Sequence, residues 1–134
     1  EGLMLLTDDG DMANKLTHPR YGHEKEYRVL ISAHVRKDQL NTWERGVLLE
    51  DGFQTGPVSV IIDKVHGKGT WLRVTMSEGH KRQIRESAKS VGLHVVKLIR
   101  VRIGSLKLGG LKSGKHRNLS EAEIQELKNL KGRK

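Results

Sequence analysis

The sequence predicts an α+β fold with a mixed, mainly antiparallel sheet and a few short helices. Three observations favour this class. Strand-like alternation of apolar and polar residues outweighs helical spacing, a glycine turn at 66–69 joins two such strands into a hairpin over 58–76, and the amphipathic stretches are short. With 134 residues, the chain is long enough for one domain and too short for two with sizeable cores.

The first part of the chain begins with a short apolar run at residues 3–6, which predicts a strand covered on both faces. Asp8 or Asp9 can cap the helix that follows, and this helix must end near Thr17 because a proline stands two residues later. Residues 27–36 alternate between apolar and polar side chains, so they predict a half-buried strand.

The middle of the chain contains two short predicted helices and one more strand. Asp38 is predicted to cap the first helix, which ends at Gly46. After the hairpin, residues 81–91 have helical spacing and Gly92 terminates them. A further strand is predicted at about 93–103.

A last helix is predicted near the end of the chain. It opens with a capping box, in which Ser120 is followed three residues later by Glu123. Its predicted buried stripe consists of Ile124, Leu127 and Leu130.

Charge is distributed unevenly along the chain. The formal net charge is +9, from 25 basic and 16 acidic side chains. Residues 80–117 contain eleven basic residues and one acidic residue, whereas residues 1–79 contain ten basic and twelve acidic residues. The positive charge of this one segment predicts a polyanionic partner.

Several classes of protein are excluded or disfavoured by composition. No run approaches the roughly 18 consecutive apolar residues of a membrane span, and residues 1–6 lack the basic start of a signal peptide. The chain has no cysteine, which excludes disulfides and thiolate metal sites. Seven histidines are spread without the spacing of metal ligands. We therefore expect a soluble cytoplasmic protein without a metal or a membrane partner.

The segment 78–85 is the strongest candidate for a binding site. A turn leads into a helix N-terminus, whose free N–H groups and dipole favour an anion, and it carries Lys81, Arg82 and Arg85. The alternative is a solvated helix face, but the excess of basic residues exceeds what solubility requires. The pattern favours contact with a phosphate backbone.

The following strand and the aromatic residues extend this hypothesis. Arg100 and Arg102 are expected to share one face of the strand, with Lys97 on the other. Only five aromatic residues are present, too few for a base-stacking platform. A single flipped base packed on Tyr27 is possible, and a core tyrosine at the start of a strand explains this residue equally well.

Several segments, taken in order along the chain, resemble the RsuA/RluB-type pseudouridine synthases, which isomerise specific uridines of ribosomal RNA. The matching segments are residues 2–11 (GLMLLTDDGD), 13–22 (ANKLTHPRYG), 25–27 (KEY), 78–79 (EG), 82–85 (RQIR), 98–104 (LIRVRIG) and 119–120 (LS). The resemblance implies a pseudouridine synthase-like fold with an RNA-binding cleft along the sheet, and an enzyme without a cofactor.

The resemblance also implies roles for individual residues. In the family an aspartate attacks the nucleotide, and the base is detached, rotated and rejoined through carbon. Tyr27 matches the tyrosine that packs on the target base, with Ile84 as its apolar neighbour. Arg85 matches the arginine that pairs with the aspartate and keeps it ionised, because a guanidinium lowers the pKa of an adjacent carboxyl group. The further candidate substrate-binding residues are Arg20, Lys81, Arg82, Arg100 and Arg102.

The chain departs from the family pattern at three places. The nucleophilic aspartate belongs to a Gly-Arg-Leu-Asp stretch that precedes the segment matched by residues 2–11, and we expect it to be absent here. Residues 1–134 are accordingly expected to be the C-terminal portion of a catalytic domain, without the nucleophile-bearing segment and the S4-like RNA-binding domain. His80 and Glu86 replace residues that are usually basic, which weakens the local positive charge.

Two functions follow from these expectations. The first is uridine-to-pseudouridine isomerisation in ribosomal RNA, of the large subunit, by the parent enzyme, with this chain alone inactive. The second is a non-catalytic RNA-binding module that retains the fold. Asp8, Asp9 and Asp11 could be imagined as an acid-base cluster, but capping and turn formation account for them better. The expected partner is ribosomal RNA, and no small-molecule cofactor is expected.

Overall fold

The chain folds as a five-stranded antiparallel sheet with four short helices. A computed structural model describes residues 2–17, 23–80 and 82–129, and these counts refer to those ranges. In chain order the elements are α1 (Gly10–Thr17), β1 (Lys25–Ile31), α2 (Lys37–Arg45), β2 (Ser59–His66), β3 (Gly69–Met76), α3 (Gln83–Ser90), β4 (Val95–Ile103), β5 (Leu106–Lys107) and α4 (Glu121–Lys128). The strand order is β2-β3-β1-β4-β5, which confirms the predicted α+β class.

The predicted hairpin is present as β2 and β3. Ser59 pairs with Thr75 at its open end and His66 pairs with Gly69 at its turn. Gly67 adopts φ 59°, a left-handed conformation that side chains disfavour and glycine accepts. The glycine turn and the alternating apolar residues therefore fix the same register.

The sheet has two faces with different neighbours. We call the face that carries Tyr27, Val29 and Ile31 the inner face, and the face that carries Glu26 and Arg28 the outer face. Helices α2 and α3 cover the inner face with buried residues such as Trp43 and Ile84. The main core consists of Val29, Ile31, Trp43, Val60, Leu72, Val74, Met76, Ile84, Ala88, Leu93 and Val95. Each large apolar side chain that is fully buried there contributes about 1.5–3 kcal/mol to stability.

A second, smaller core lies at the other edge of the sheet. It joins the start of the chain to the end of β4, to β5 and to α4. Its buried members are Leu3, Ile103, Leu106 and Leu127. Leu127 is thus buried as predicted, Ile124 lies at the margin with 36% of its surface exposed, and Leu130 lies outside the described residues.

The predicted strand at residues 3–6 is wrong. Only its first residues reach the sheet: Gly2 forms an isolated parallel bridge with Arg100, and the Leu3 N–H donates to the Arg100 carbonyl at 2.8 Å. A Cβ on Gly2 would lie 2.4 Å from the Arg100 nitrogen, so this approach requires glycine. Met4 and Leu6 are 73% and 89% exposed because, within the described ranges, no element covers them.

The boundaries of other elements also differ from the prediction. The strand predicted at 27–36 begins at Lys25 and ends at Ile31, where the Ser32 N–H donates to the His94 carbonyl and the chain bends away. Helix α2 begins one residue before Asp38. Arg36 is its N-cap, and the Asp38 carboxylate accepts a hydrogen bond from the Arg36 guanidinium instead of capping the helix.

The later elements are close to their predicted ranges. Helix α3 is shorter than the predicted 81–91, with Arg82 at its N-cap. Strand β4 begins two residues after the predicted start at position 93. The capping box of α4 is confirmed: the Ser120 hydroxyl accepts from the Glu123 N–H at 3.2 Å, and the Glu123 carboxylate accepts from the Ser120 N–H at 2.8 Å.

Candidate active site

Tyr27 lies near the start of β1, on the inner face of the sheet. Its cross-strand neighbours are Val74 on β3 and Arg100 on β4, because side chains directly opposite each other in antiparallel strands share a face. Tyr27 is half-buried and packs against the main core, which includes Ile84 of α3. The fold therefore brings the RQIR segment to the face of the sheet that carries this tyrosine.

The turn that leads into α3 is fixed by hydrogen bonds to the half-buried carboxylate of Glu78. Glu78 Oε1 accepts from the backbone N–H of Gly56 at 2.7 Å and from Nε2 of Gln83 at 2.8 Å. Arg82 then adopts φ 58° and ψ 23°, a left-handed conformation. Among the described residues it is the single non-glycine residue with a positive φ. Such strain occurs preferentially at functional sites, where the surrounding structure holds it in place.

His80 is held by the loop between α2 and β2. Its Nε2 lies 2.7 Å from Asp51 Oδ2, and its ring stacks on Phe53 with the centroids 3.9 Å apart. The pKa of Asp51 is lowered by hydrogen bonds, first from the Phe53 N–H and then from His80. His80 thus serves to hold the turn. The sequence pattern alone did not reveal its partners, because Asp51 is distant along the chain.

The arginines of the RQIR segment point away from the core. Ile84 and Ala88 form the buried stripe of α3, whereas Arg82 and Arg85 are exposed. Neither arginine forms an ion pair with any residue in the described part of the chain. Both guanidinium groups are therefore available to an anion.

The prediction that Arg100 and Arg102 share a face is wrong. A register shift between Glu26 and Tyr27 pairs Glu26 with Arg102 and Tyr27 with Arg100. Since adjacent residues of β1 face opposite sides, the bulge turns Arg100 to the inner face and Arg102 to the outer face. Lys97, which pairs with Leu30, lies on the outer face with Arg102 instead of opposite it.

Arg102 is committed to structural contacts on that outer face. Its guanidinium donates to Glu24 at 2.6 Å, to Glu26 at 3.3 Å and to the Gly104 carbonyl at 2.7 Å. Burial opposes its charge, but the hydrogen bonds to both carboxylates outweigh burial and raise its pKa. These contacts leave Arg102 poorly placed for the RNA contact that the sequence suggested.

Arg100 instead lies beside Tyr27 and the start of the chain. Its Nε donates to the Leu3 carbonyl at 2.8 Å. Lys25 occupies the same face of β1 as Tyr27, two residues earlier, and was not selected from the sequence. The alternation of the Lys-Glu-Tyr segment is the signal that could have found it, because positions 25 and 27 of one strand share a face.

Two of the predicted substrate-binding residues, Arg20 and Lys81, lie outside the described residues. Asp9 Oδ1 accepts from the Met12 N–H at 3.1 Å, which is the capping role expected for this region. Within residues 2–17, 23–80 and 82–129, no group of side chains could hold a metal ion, and no helix is long and apolar enough to cross a membrane.

Comparisons with known proteins identify the family. The family profile described as RNA pseudouridylate synthase matches residues 1–90. An RNA pseudouridine synthase of Aquifex aeolicus is 39% identical over 127 residues, which cover 95% of this chain and 51% of that protein. The ribosomal large subunit pseudouridine synthase B of Bacillus subtilis is 37% identical over 131 residues, covering 96% of this chain and 53% of that protein.

Solved structures agree with the sequence comparisons. A crystal structure of a pseudouridylate synthase superposes with a TM-score of 0.84 at 31% identity, covering 94% of this chain and 54% of that one. This chain thus spans about half the length of the curated relatives it matches. The profile match and the shared fold lead to one conclusion: the chain belongs to the RNA pseudouridylate synthase family.

Proposed function

We propose that this chain forms the tyrosine and arginine side of an active site that isomerises uridine to pseudouridine in large-subunit ribosomal RNA. The observation that carries the proposal is the arrangement around α3: Ile84 lies in the core against which Tyr27 packs, while Arg82 and Arg85 of the same short segment stay exposed and unpaired within the described residues. The relatives named ribosomal large subunit pseudouridine synthase B favour this RNA as the substrate. In bacteria this RNA lies in the cytoplasm, where we expect the protein to act.

The residue roles follow the resemblance described above. Tyr27 packs on the target base, which leaves the RNA helix and rests near Ile84. Arg85 pairs with the nucleophilic aspartate and keeps it ionised. The bond between the base and the sugar breaks, the base rotates, and a carbon of the base rejoins the sugar. The reaction is an isomerisation, so no cofactor is needed to balance it.

The nucleophilic aspartate is proposed to lie outside these 134 residues. Among the acids near the start of the chain, Asp9 caps α1 through the Met12 N–H. No acid of the chain matches the position of the family's nucleophile, and the curated relatives are about twice as long as this chain. The chain alone is therefore proposed to bind RNA without turning it over.

A chimera tests the proposed function directly. The part of the Bacillus subtilis relative that matches this chain is replaced by residues 1–134, and pseudouridine formation in large-subunit RNA is measured. We expect an active chimera. Tyr27→Ala and Arg85→Ala should each lower its rate by about 100-fold or more, a typical loss when one preorganised group is removed. Lys64→Gln, a change on the outer face, should leave the rate unchanged.

The second candidate is the non-catalytic RNA-binding module. The concentration of basic residues in the segment 80–117 favours it, because this charge suffices for RNA binding without chemistry. The same chimera separates the two functions. An inactive chimera that folds and still binds RNA would support the binding module and contradict the enzyme.

A further inference from the structure

Lys25 is a half-buried lysine with no ion pair in the described part of the chain. It lies on the inner face of β1, between Met76 of β3 and Ile103 of β4. Tyr27 shares this face two residues later. A half-buried cation without a partner lowers the stability of the fold, because burial removes part of its hydration.

A second cation lies close to Lys25. Arg100 is the cross-strand neighbour of Tyr27 and therefore also faces inward. Burial lowers the pKa of Lys25, and the positive charge of Arg100 lowers it further. Both side chains are partly buried, so water screens the repulsion between their positive charges less than it would at the surface.

The carboxylates next to Lys25 along the chain and at the adjoining turn are engaged elsewhere. Glu24 and Glu26 accept hydrogen bonds from Arg102 on the outer face. Glu78, although it adjoins the turn, accepts from the Gly56 N–H and from Gln83. The described part of the chain therefore supplies Lys25 and Arg100 with no carboxylate that balances their charge.

The Lys25 ammonium also reaches the turn before α3. A Cβ built on Gly79 would lie 3.5 Å from Lys25 Nζ, so the ammonium sits directly against this glycine. The same turn continues into Arg82, which is exposed. The Lys25 ammonium thus lies at the turn into α3, on the face of the sheet that carries Tyr27 and Arg100.

We propose that Lys25 and Arg100 together bind one backbone phosphate of the RNA, next to the base that packs on Tyr27. A phosphate supplies the negative charge that this face lacks, and its oxygens accept hydrogen bonds from an ammonium and a guanidinium at once. This inference rests on the proposed function, since it names a subsite for the same RNA. Lys25 is a binding residue in it, with no role in the bond changes.

The salt dependence of RNA binding tests this subsite. The probe is a structured fragment of large-subunit ribosomal RNA, and the protein is the full 134-residue chain. Loss of one phosphate contact lowers the slope of log affinity against log salt by about 0.7 to 0.9. We expect this decrease for Lys25→Gln and a smaller one for Lys25→Arg, which keeps the charge.

Two further measurements make the test specific. Lys64→Gln is the matched control, because Lys64 is an exposed strand lysine that pairs with Trp71 on the outer face. Its slope should equal that of the unmodified chain. Thermal unfolding without RNA should show Lys25→Gln at least as stable as the unmodified chain, because the substitution removes repulsion from Arg100. A lysine with a structural role would lower the Tm when replaced.

The outcomes separate this inference from the proposed function. If the unmodified chain binds RNA and Lys25→Gln leaves the slope unchanged, the phosphate subsite is wrong and the proposed function stands. A Lys25→Gln variant with a clearly lower Tm would also overturn the subsite in favour of a structural role. If the unmodified chain does not bind the RNA fragment at all, the subsite is wrong, and the activity of the chimera decides the proposed function separately.

Discussion

Arg82 holds its backbone at φ 58° and ψ 23°, a conformation that costs roughly 1–2 kcal/mol for a residue with a Cβ. Glycine adopts it without this penalty. Arg82→Gly and Arg82→Ala both remove the guanidinium, so they differ mainly in this strain. We expect the glycine variant to have the higher free energy of unfolding by about 1 kcal/mol, measured by urea denaturation. Equal values would show that the turn relaxes around alanine.

The two arginines of the RQIR segment are expected to differ in their contribution to RNA binding. Arg82 is exposed at the N-cap of α3, where it can reach a phosphate, so Arg82→Ala should lower the salt slope by about one. Arg85→Ala should change binding less, because its proposed partner is the carboxylate of the nucleophile. The measurement is RNA affinity over a range of salt concentrations.

A reversed result would change the assignment of roles. If Arg85→Ala abolishes binding while Arg82→Ala has no effect, Arg85 is the phosphate contact. Circular dichroism of both variants controls for folding. Neither side chain is buried or ion-paired within the described ranges, so both variants should retain the fold.

Individual residues show where sequence reasoning reaches its limit. The positions of Tyr27 and Ile84 follow from strand alternation and helical spacing, which are local patterns. The separation of Arg100 and Arg102 onto opposite faces does not, because it arises from a bulge between β1 and β4. These strands are far apart along the chain, so no local pattern indicates which residue of β4 has no partner on β1.

Among the elements, α4 is stabilised by its N-terminal capping box and by Arg117. This arginine donates two hydrogen bonds to the Glu123 carboxylate, at 2.8 and 2.7 Å. Together with the Ser120 N–H, they lower the pKa of Glu123 from 4.5 to about 2. A carboxyl group whose pKa is lowered by folding contributes its stability above its unfolded pKa and loses it as the pH falls.

The pH dependence of stability tests this contribution. Above about pH 4.5, Glu123→Gln should be less stable than the unmodified chain, and the difference should disappear as the pH falls through about 2. The measurement is the Tm of both proteins over this range at low salt, since screening weakens an exposed pair. A difference that is independent of pH would mean that the carboxylate charge does not matter.

Elements whose signals are local were predicted well. The β2-β3 hairpin and α4 carry a glycine turn and a capping box within a few residues. Strand β1 continues for fewer residues than its alternation suggests, because pairing with β3 and β4 ends at Ile31. The segment at residues 3–6 has the composition of a buried strand, but strand formation requires partners, and only Gly2 and Leu3 reach β4.

At the scale of the whole molecule, the two faces of the sheet differ in how far their positive charges are balanced by carboxylates. On the outer face, Arg73 lies 3.7 Å from Glu26 and 3.5 Å from Asp63, and Arg28 lies 3.8 Å from Asp63. Arg28 also stacks over Trp71 at 4.5 Å. These cations are balanced by neighbouring carboxylates. Within the described residues, Lys25 and Arg100 near the start of β1 and Arg82 at the turn into α3 form no ion pair, so we expect RNA to approach from that side.

A turnover assay tests whether this chain is catalytically active only together with the rest of a synthase. When uridine becomes pseudouridine, a carbon of the base bonds to the sugar and its hydrogen is released, so RNA tritiated at that carbon reports each event. Purified residues 1–134 should release no tritium from ribosomal RNA labelled in this way, because the nucleophilic aspartate is proposed to lie outside these residues. The active chimera with the Bacillus subtilis relative is the positive control.

Binding and turnover should therefore separate in this chain. We expect RNA binding that weakens steeply with salt, as a polyanion bound by Arg82 and its neighbours requires, and no tritium release at any salt concentration. Tritium release by the chain alone would show that one of its own acids attacks the nucleotide. Asp8, Asp9 and Asp11 would then be replaced by asparagine one at a time. The variant that folds, binds RNA and loses release would identify the nucleophile, and the proposed role of Arg85 would have to be assigned to a cation near α1.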